Sequence, residues 1–277
     1  MASMEPKFPA DILFGQEGEV QRQTRSQAGS GKEAARLVSV VVACCGQLEY
    51  TRLCVPSLVR HSRQPFELIF VDIGSLDGTP EYLTGVADTA PVRVEIVRAT
   101  TETDFGAAAA EGLARARGDF VVWLNNDTIV TNDWLQQLVS LSSSHELIGM
   151  VGPMSNYAPA PQRVANVPYR IGARAKAPTT DHSRLEGNLA DIETVDQFAR
   201  QWREHNRGQW FETERLAGFC LLIKRAVFQK VSFFDEQAEK GRFDADALSR
   251  RIRQAGYHLA CCQDLFIHHF GSRLVAS

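Results

Sequence analysis

Short apolar runs alternate with amphipathic ones along most of this chain. Leu37 to Ala43 (LVSVVVA), Phe66 to Asp72 (FELIFVD), Val92 to Val97 and Phe120 to Leu124 have the length and β-branched content of buried strands. Helical patterns lie between them. One runs from about Leu48 to Arg60, with Leu53, Val55, Leu58 and Val59 on its apolar side and Pro56 marking an expected kink or early end. Another begins near Pro80, and an alanine-rich one runs from Ala107 to Arg117 and stops at Gly118. Buried-type strands alternating with helices predict an α/β fold, a parallel sheet with helices on both faces.

The pattern continues with a helix over Trp134 to Ser144 and a short strand over Leu147 to Val151. After Gly152-Pro153 it weakens. Met154 to about Glu214 shows only one charged helical piece, Val195 to His205, so this stretch is expected to be a long irregular loop of functional use. Periodicity returns at Leu216 to Ile223 (strand), Ala226 to Val231 (short helix), Ala245 to Ala255 (helix, stopped by Gly256) and His258 to Cys262 (strand). The ordered pattern closes at Leu265-Phe266-Ile267-His268-His269-Phe270-Gly271-Ser272. Residues 1–36 are polar and poorly patterned. They read either as a flexible lead-in or as a segment that docks on another domain, leaving 37–277 as the folded domain.

Composition narrows the function. Apolar content of 44% and charged content of 23% are ordinary for a globular domain, and a net charge of −3 gives no support for a nucleic-acid partner. No apolar run approaches the ~20 residues that span a bilayer. No signal-peptide pattern opens the chain, so a cytoplasmic location is expected. The six cysteines include two adjacent pairs, Cys44-Cys45 and Cys261-Cys262, and no CxxC. They read as buried free thiols rather than disulfides or a zinc site.

The candidate chemistry sits at strand ends. In open α/β sheets, ligands bind at the carboxyl edge of the strands. The Phe120 run stops at Asn125-Asn126-Asp127-Thr128, whose carboxylate and amide oxygens suit a hard cation such as Mg²⁺ or Mn²⁺. The same residues also fit a plain turn that starts the next helix. Asp72 and Asp77 flank the glycine-punctuated turn Ile73-Gly74-Ser75-Leu76-Asp77-Gly78, where a carboxylate can accept from a ribose hydroxyl or a base N–H. His268 and His269 end the last run, and their side chains must face opposite ways if that run is a strand. Asp244 and Asp246 flank a helix start, where the helix dipole favours carboxylates with or without catalysis. No P-loop, GxGxxG or serine nucleophile elbow is present, so a bound diphosphate would need a metal to neutralise it.

Taken together, Val71-Asp72-Ile73-Gly74-Ser75-Leu76-Asp77-Gly78-Thr79, Leu124-Asn125-Asn126-Asp127-Thr128, Ala217 to Ile223, Ala255-Gly256-Tyr257 and His268-His269-Phe270-Gly271-Ser272 resemble the inverting family-two glycosyltransferases with the GT-A fold, from about Val38 to Ser272. The resemblance implies a Rossmann-like, mostly parallel sheet flanked by helices, with the long irregular loop on the acceptor side. It implies a metal-dependent transfer from a nucleotide-sugar donor, UDP-sugars foremost, to a saccharide, protein or peptide acceptor. Homo-oligomers and a missing partner domain are both compatible with it.

Roles follow from the resemblance. Ala43, Asp72, Asp77, Asn125 and Asn126 would contact the donor, Gly218 and Phe219 would floor the sugar pocket, and Asp127 would hold Mn²⁺ or Mg²⁺. His268 is expected as the late metal ligand, with His269 second. The sequence departs from the pattern where Ala43-Cys44-Cys45-Gly46 and Ile73 replace more polar family residues. The largest departure is Asp244-Ala245-Asp246-Ala247-Leu248, which puts Ala245 at the position of the usual base. Asp244 is then the expected substitute base with Asp246 second, Asp246 is also the expected helix cap, and a catalytically impaired family member is the alternative function.

Overall fold

The computed structural model describes residues 22–24, 36–99, 105–171, 183–231 and 243–271. The expected Rossmann-like core is present. Strands β2 (Val38–Cys44), β3 (Phe66–Ile73), β4 (Val94–Ala99) and β5 (Phe120–Asn125) lie side by side and parallel, in the order β5-β2-β3-β4. Every residue of β2 and β5 is buried, as expected for central strands covered on both faces. Side-chain alternation sorts the sheet into two core layers. Val41, Ala43, Ile69, Val71, Val121 and Trp123 face one layer, with residues of α3 (Phe105–Ala114), α5 (Ser183–His205) and α7 (Ala245–Gln254). Val40, Val42, Leu68, Phe70, Val122 and Leu124 face the other, with α1 (Leu48–His61), α2 (Thr79–Thr89) and α4 (Trp134–Ser143).

Beyond β5 the sheet changes character. β9 (Cys220–Lys224) inserts antiparallel between β5 and β7 (Ile148–Met154). β10 (His258–Phe266) then runs parallel to β7. β8 (Gln209–Thr213) follows antiparallel to β10, and β1 (Arg22–Thr24) pairs with β8 at the sheet's end. The short helix α6 (Arg225–Phe228) follows β9. A separate two-stranded ribbon joins β6 (Thr128–Ile129) to β11 (His268–His269).

Several expectations change. α1 is one continuous helix through Pro56. Its buried Leu53, Cys54, Val55 and Leu58 pack on the sheet, and that burial outweighs the backbone hydrogen bond Pro56 cannot make. β7 does not stop before Gly152-Pro153 but runs to Met154, because its neighbour β10 continues to pair with it there: Gly152 and Pro153 lie opposite Cys261 and Cys262, and after an irregularity Met154 lies opposite Phe266. The stretch from Met154 to Glu214 is not one irregular loop: α5 and β8 lie inside it. Within the polar N-terminal segment, Arg22–Thr24 is a strand, while most of 1–36 lies outside the described residues. Ser272 also lies outside them.

Candidate active site

The carboxyl edge of the parallel block is built from strand ends and stitched by side chains. β5 ends at Asn125, whose N–H donates to the Phe219 carbonyl at 2.9 Å. Asn126 N–H donates to the Ala43 carbonyl at 3.2 Å, tying the turn after β5 to the end of β2. The Asn126 side-chain amide donates to the Gly46 carbonyl (3.1 Å) and to Thr51 Oγ1 (2.8 Å), so its nitrogen holds the β2–α1 loop. From the β3 side, Asp72 Oδ1 accepts from Ser75 N–H, and Ser75 Oγ accepts from Gly46 N–H at 2.7 Å.

Asp77 differs from the donor contact expected of it. Its Oδ2 accepts from Leu48 N–H at 2.9 Å, capping α1 from another loop, while Oδ1 accepts from Thr79 N–H and Oγ1. Burial would push its pKa up, but the hydrogen bonds from Thr79 and Leu48 outweigh burial and hold the carboxyl below its usual value. Both of its oxygens are thus used by the protein's own donors.

Asp127 is the opposite case. It is 2% exposed, and neither carboxylate oxygen meets a hydrogen-bond donor among the described residues. The β6–β11 ribbon lays His269 across from Thr128, and Phe270 N–H donates to the Asp127 carbonyl at 3.0 Å. This puts His269 Nε2 3.3 Å from Asp127 Oδ1. His269 Nδ1 lies 2.9 Å from the Tyr157 carbonyl oxygen. A carbonyl can only accept, so Nδ1 carries a proton, and Nε2 is the ring nitrogen that faces the carboxylate. Phe219 stacks on the same ring, centroids 4.8 Å apart and planes 15° apart, and Tyr157 meets its edge at 5.4 Å.

The two histidines therefore exchange their expected order. His269 faces Asp127. His268, one residue back and on the opposite side of the strand, bonds Tyr169 through Nδ1 at 2.9 Å. Burial, helped by His269, pushes its pKa down to about 3.

Across the pocket, Gly218 admits no side chain. A Cβ there would stand 2.8 Å from Phe243 Cε1 and 3.1 Å from Ala245 Cβ. Position 245 thus lies beside Gly218, with a methyl group as its side chain. The expected helix cap is also corrected. Asp244, not Asp246, caps α7: its Oδ1 accepts from Asp246 N–H (2.9 Å) and Ala247 N–H (3.1 Å). The first-turn donors sit two and three residues after the cap, so the residue before the helix is the one that can reach them. That bond holds the Asp244 carboxylate on the helix end and both Asp244 and Asp246 are exposed.

Two contributors at this edge were not anticipated, Asn156 and Tyr157, on the turn after β7. Asn156 Nδ2 donates to the His269 carbonyl, and His269 N–H donates to Asn156 Oδ1, both at 2.9 Å. The signal was available: Ser155-Asn156 is a polar cluster ending an apolar run, like Asn125-Asn126. A strand expected to end at Val151 leaves three residues between it and that cluster, whereas β7 runs on to Met154.

A mostly parallel sheet flanked by helices, with the motif carboxylate at its carboxyl edge, is the GT-A glycosyltransferase architecture. Two solved structures share it. A mannosyltransferase, PcManGT from Pyrobaculum calidifontis in complex with GDP-Man and Mn²⁺, matches with TM-score 0.58 at 18% identity over 84% of this chain and 56% of that one. GalNAc-T7 with UDP, GalNAc and Mn²⁺ matches with TM-score 0.60 at 16% identity over 86% of this chain and 44% of that one. The model of the family "Glycosyl transferase family 2" matches residues 39–232, and the chain belongs to that family. An uncharacterized protein, y4gI of Sinorhizobium fredii, is 27% identical over 87% of this chain, which spans only 25% of that relative's length. No helix among the described residues is long and apolar enough to cross a membrane.

Proposed function

We propose that this chain is a metal-dependent, inverting glycosyltransferase that moves a sugar from a nucleoside-diphosphate sugar to a saccharide, protein or peptide acceptor. The observation that carries the reading is the buried Asp127 carboxylate, without a hydrogen-bond partner among the described residues, facing His269 Nε2 at 3.3 Å. Burying a carboxylate with no hydrogen-bond donor is costly, and His269 Nε2, equally without a hydrogen bond, is the nearest group that could share a ligand with it. A divalent cation answers both groups at once; the carboxylate oxygens suit Mn²⁺ or Mg²⁺, and of these two the imidazole nitrogen favours Mn²⁺. Among the described residues no cluster of three or more His, Cys, Asp or Glu could hold a metal. That fits a cation completed by substrate phosphates, the usual manner of Mg²⁺ sites. The Mn²⁺ and nucleotides that accompany the two structural neighbours support the same reading.

In this reading Asp127 and His269 would hold the cation, and a cation there stabilises the negative charge growing on the departing diphosphate. Phe219 and Tyr157 fix the His269 ring. Asp77 and Asn126 shape the edge by pinning the β2–α1 loop, and Asp72 lies on the nucleoside side of it. Inversion by single displacement also requires a group that takes the acceptor's proton on the face opposite the leaving group. Ala245 cannot, and the Asp244 carboxylate is turned to its own helix. This favours a second reading, a family member that binds the donor and transfers slowly or not at all.

The test is nucleotide release from a panel of UDP- and GDP-sugars with Mn²⁺, against the same panel with EDTA, in the wild type and in Asp127→Ala. Metal-dependent nucleotide binding that Asp127→Ala removes, with or without turnover, supports the site. Nucleotide affinity indifferent to Mn²⁺ in folded wild type overturns it.

A further inference from the structure

We infer that Asn156 is the positioning residue that aims His269 at Asp127, acting with the Tyr157 carbonyl; this rests on the cation reading of that pair. β11 is only two residues long and has β6 as its single strand neighbour. So short a ribbon gives His269 little backbone support. The Asn156 side-chain amide supplies it: donor and acceptor meet the carbonyl and N–H of one residue, His269, each at 2.9 Å. An amide side chain thereby does what an adjacent strand would do. The next residue's carbonyl then accepts the Nδ1 proton of the same ring. Main chain and ring are thus fixed from one dipeptide, and Nε2 is left bare toward Asp127 Oδ1 at 3.3 Å.

The dipeptide is itself held. Ser155 N–H donates to the Gln162 carbonyl (3.0 Å), and Val164 N–H donates to the Ser155 carbonyl (2.8 Å). Tyr157 N–H donates to Ser155 Oγ (3.3 Å), and the Tyr157 ring lies within 3.4 Å of where a Gly271 Cβ would stand. A histidine that ligates a metal through one nitrogen is commonly oriented by a carbonyl or carboxylate on the other, and losing that partner typically costs about 10–100-fold in metal affinity. Here the orienting carbonyl belongs to a residue that Asn156 registers against the histidine.

The experiment uses the full chain with ¹⁵N-labelled histidine. Long-range ¹H–¹⁵N spectra read the His269 tautomer, and electron paramagnetic resonance of free Mn²⁺ reads metal affinity. The variants are Asn156→Ala, Asn156→Leu and Asp127→Ala. Asn156 is only half-buried, so its loss spares the core, and the leucine variant keeps the bulk should alanine fail to fold. The wild type is expected to show a protonated Nδ1. Both Asn156 variants should lose about tenfold in Mn²⁺ affinity and show a mixed tautomer pattern, which loosening of a distant loop would not produce. Asp127→Ala should lose Mn²⁺ binding and keep the Nδ1–H pattern. Wild-type tautomer and affinity in a folded Asn156 variant overturn the positioning role while leaving the cation reading standing. With saturating UDP or GDP present in all affinity measurements, absence of saturable Mn²⁺ binding in the wild type overturns both.

Discussion

The two ends of the β2–β3–β5 block each bury a carboxylate, and the two are treated in opposite ways. At the amino edge Glu67, 2% exposed, accepts from Ser39 Oγ (2.6 Å) and Arg117 N–H (2.7 Å) through one oxygen and pairs with Arg93 through the other. Gly118 makes room for this: a Cβ there would stand 2.6 Å from the Leu37 carbonyl oxygen, so only glycine lets its N–H reach Ser39 Oγ at 2.8 Å. Burial pushes the Glu67 pKa up, but Ser39, the Arg117 N–H and Arg93 together hold it below its ordinary value. At the carboxyl edge Asp127 is equally buried and meets no donor among the described residues. The same residue class at the same depth has its hydrogen bonds completed at one edge and left open at the other, and the open one is where the proposed cation would sit.

The largest effect should come from adding a carboxylate to the open edge. Ala245→Asp is expected to raise turnover of any nucleotide sugar in the panel by about 10²–10⁴-fold, the usual worth of a general base. An unchanged rate, together with a comparable fall in Asp244→Asn, would instead make Asp244 the base despite its cap.

Removing the open carboxylate should produce the next effect. Asp127→Ala is expected to cut metal-dependent turnover by about 10²–10³-fold, on the scale of a lost transition-state contact. Without metal, its melting temperature should equal or exceed that of the wild type, because an uncompensated buried charge has been deleted. A marked loss of metal-free stability would mean that Asp127 is structural after all.

Glu67→Gln should do the reverse. Breaking a saturated buried pair typically costs about 3–5 kcal/mol, and Mn²⁺-dependent nucleotide binding by the folded fraction should be unaffected. The sign of the pH dependence follows. The folded pKa of Glu67 lies below its ordinary 4.5, so the unfolded chain takes up the proton first. The stabilisation is complete above about pH 4.5 and fades as pH falls through the lower folded value. Urea titrations of wild type and Glu67→Gln should therefore converge in acid, and parallel curves would remove Glu67 as the cause.

The smallest effect is a count. All six cysteines are free, and Cys54 has its pKa pushed up to about 12, chiefly by burial. Thiol titration of denatured, unreduced protein should find six, with the buried thiols unreactive in the native state.

The alternating strands and helices of the parallel block were legible in order, because strands buried on both faces are written as continuous apolar runs. The polar clusters that end them were legible too, so Asp72 and Asp127 could be placed on one edge before any coordinates. Sequence by itself also determined that position 245 carries no acidic group, since no packing can make alanine accept a proton. What it could not determine was partnership. Glu67, Asp77 and Asp127 are all acidic residues at strand or turn ends, and nothing local distinguishes them. The choice of His269 over His268 rests on which face of a two-residue ribbon meets Thr128. The cap at Asp244 rests on where α7 begins, and the Asn156 clamp on a strand that continues through Pro153. The cap is local, but the others depend on groups far apart in the chain arriving within about 3 Å, the range of a hydrogen bond. Only the closed tertiary structure decides which donors arrive and which do not.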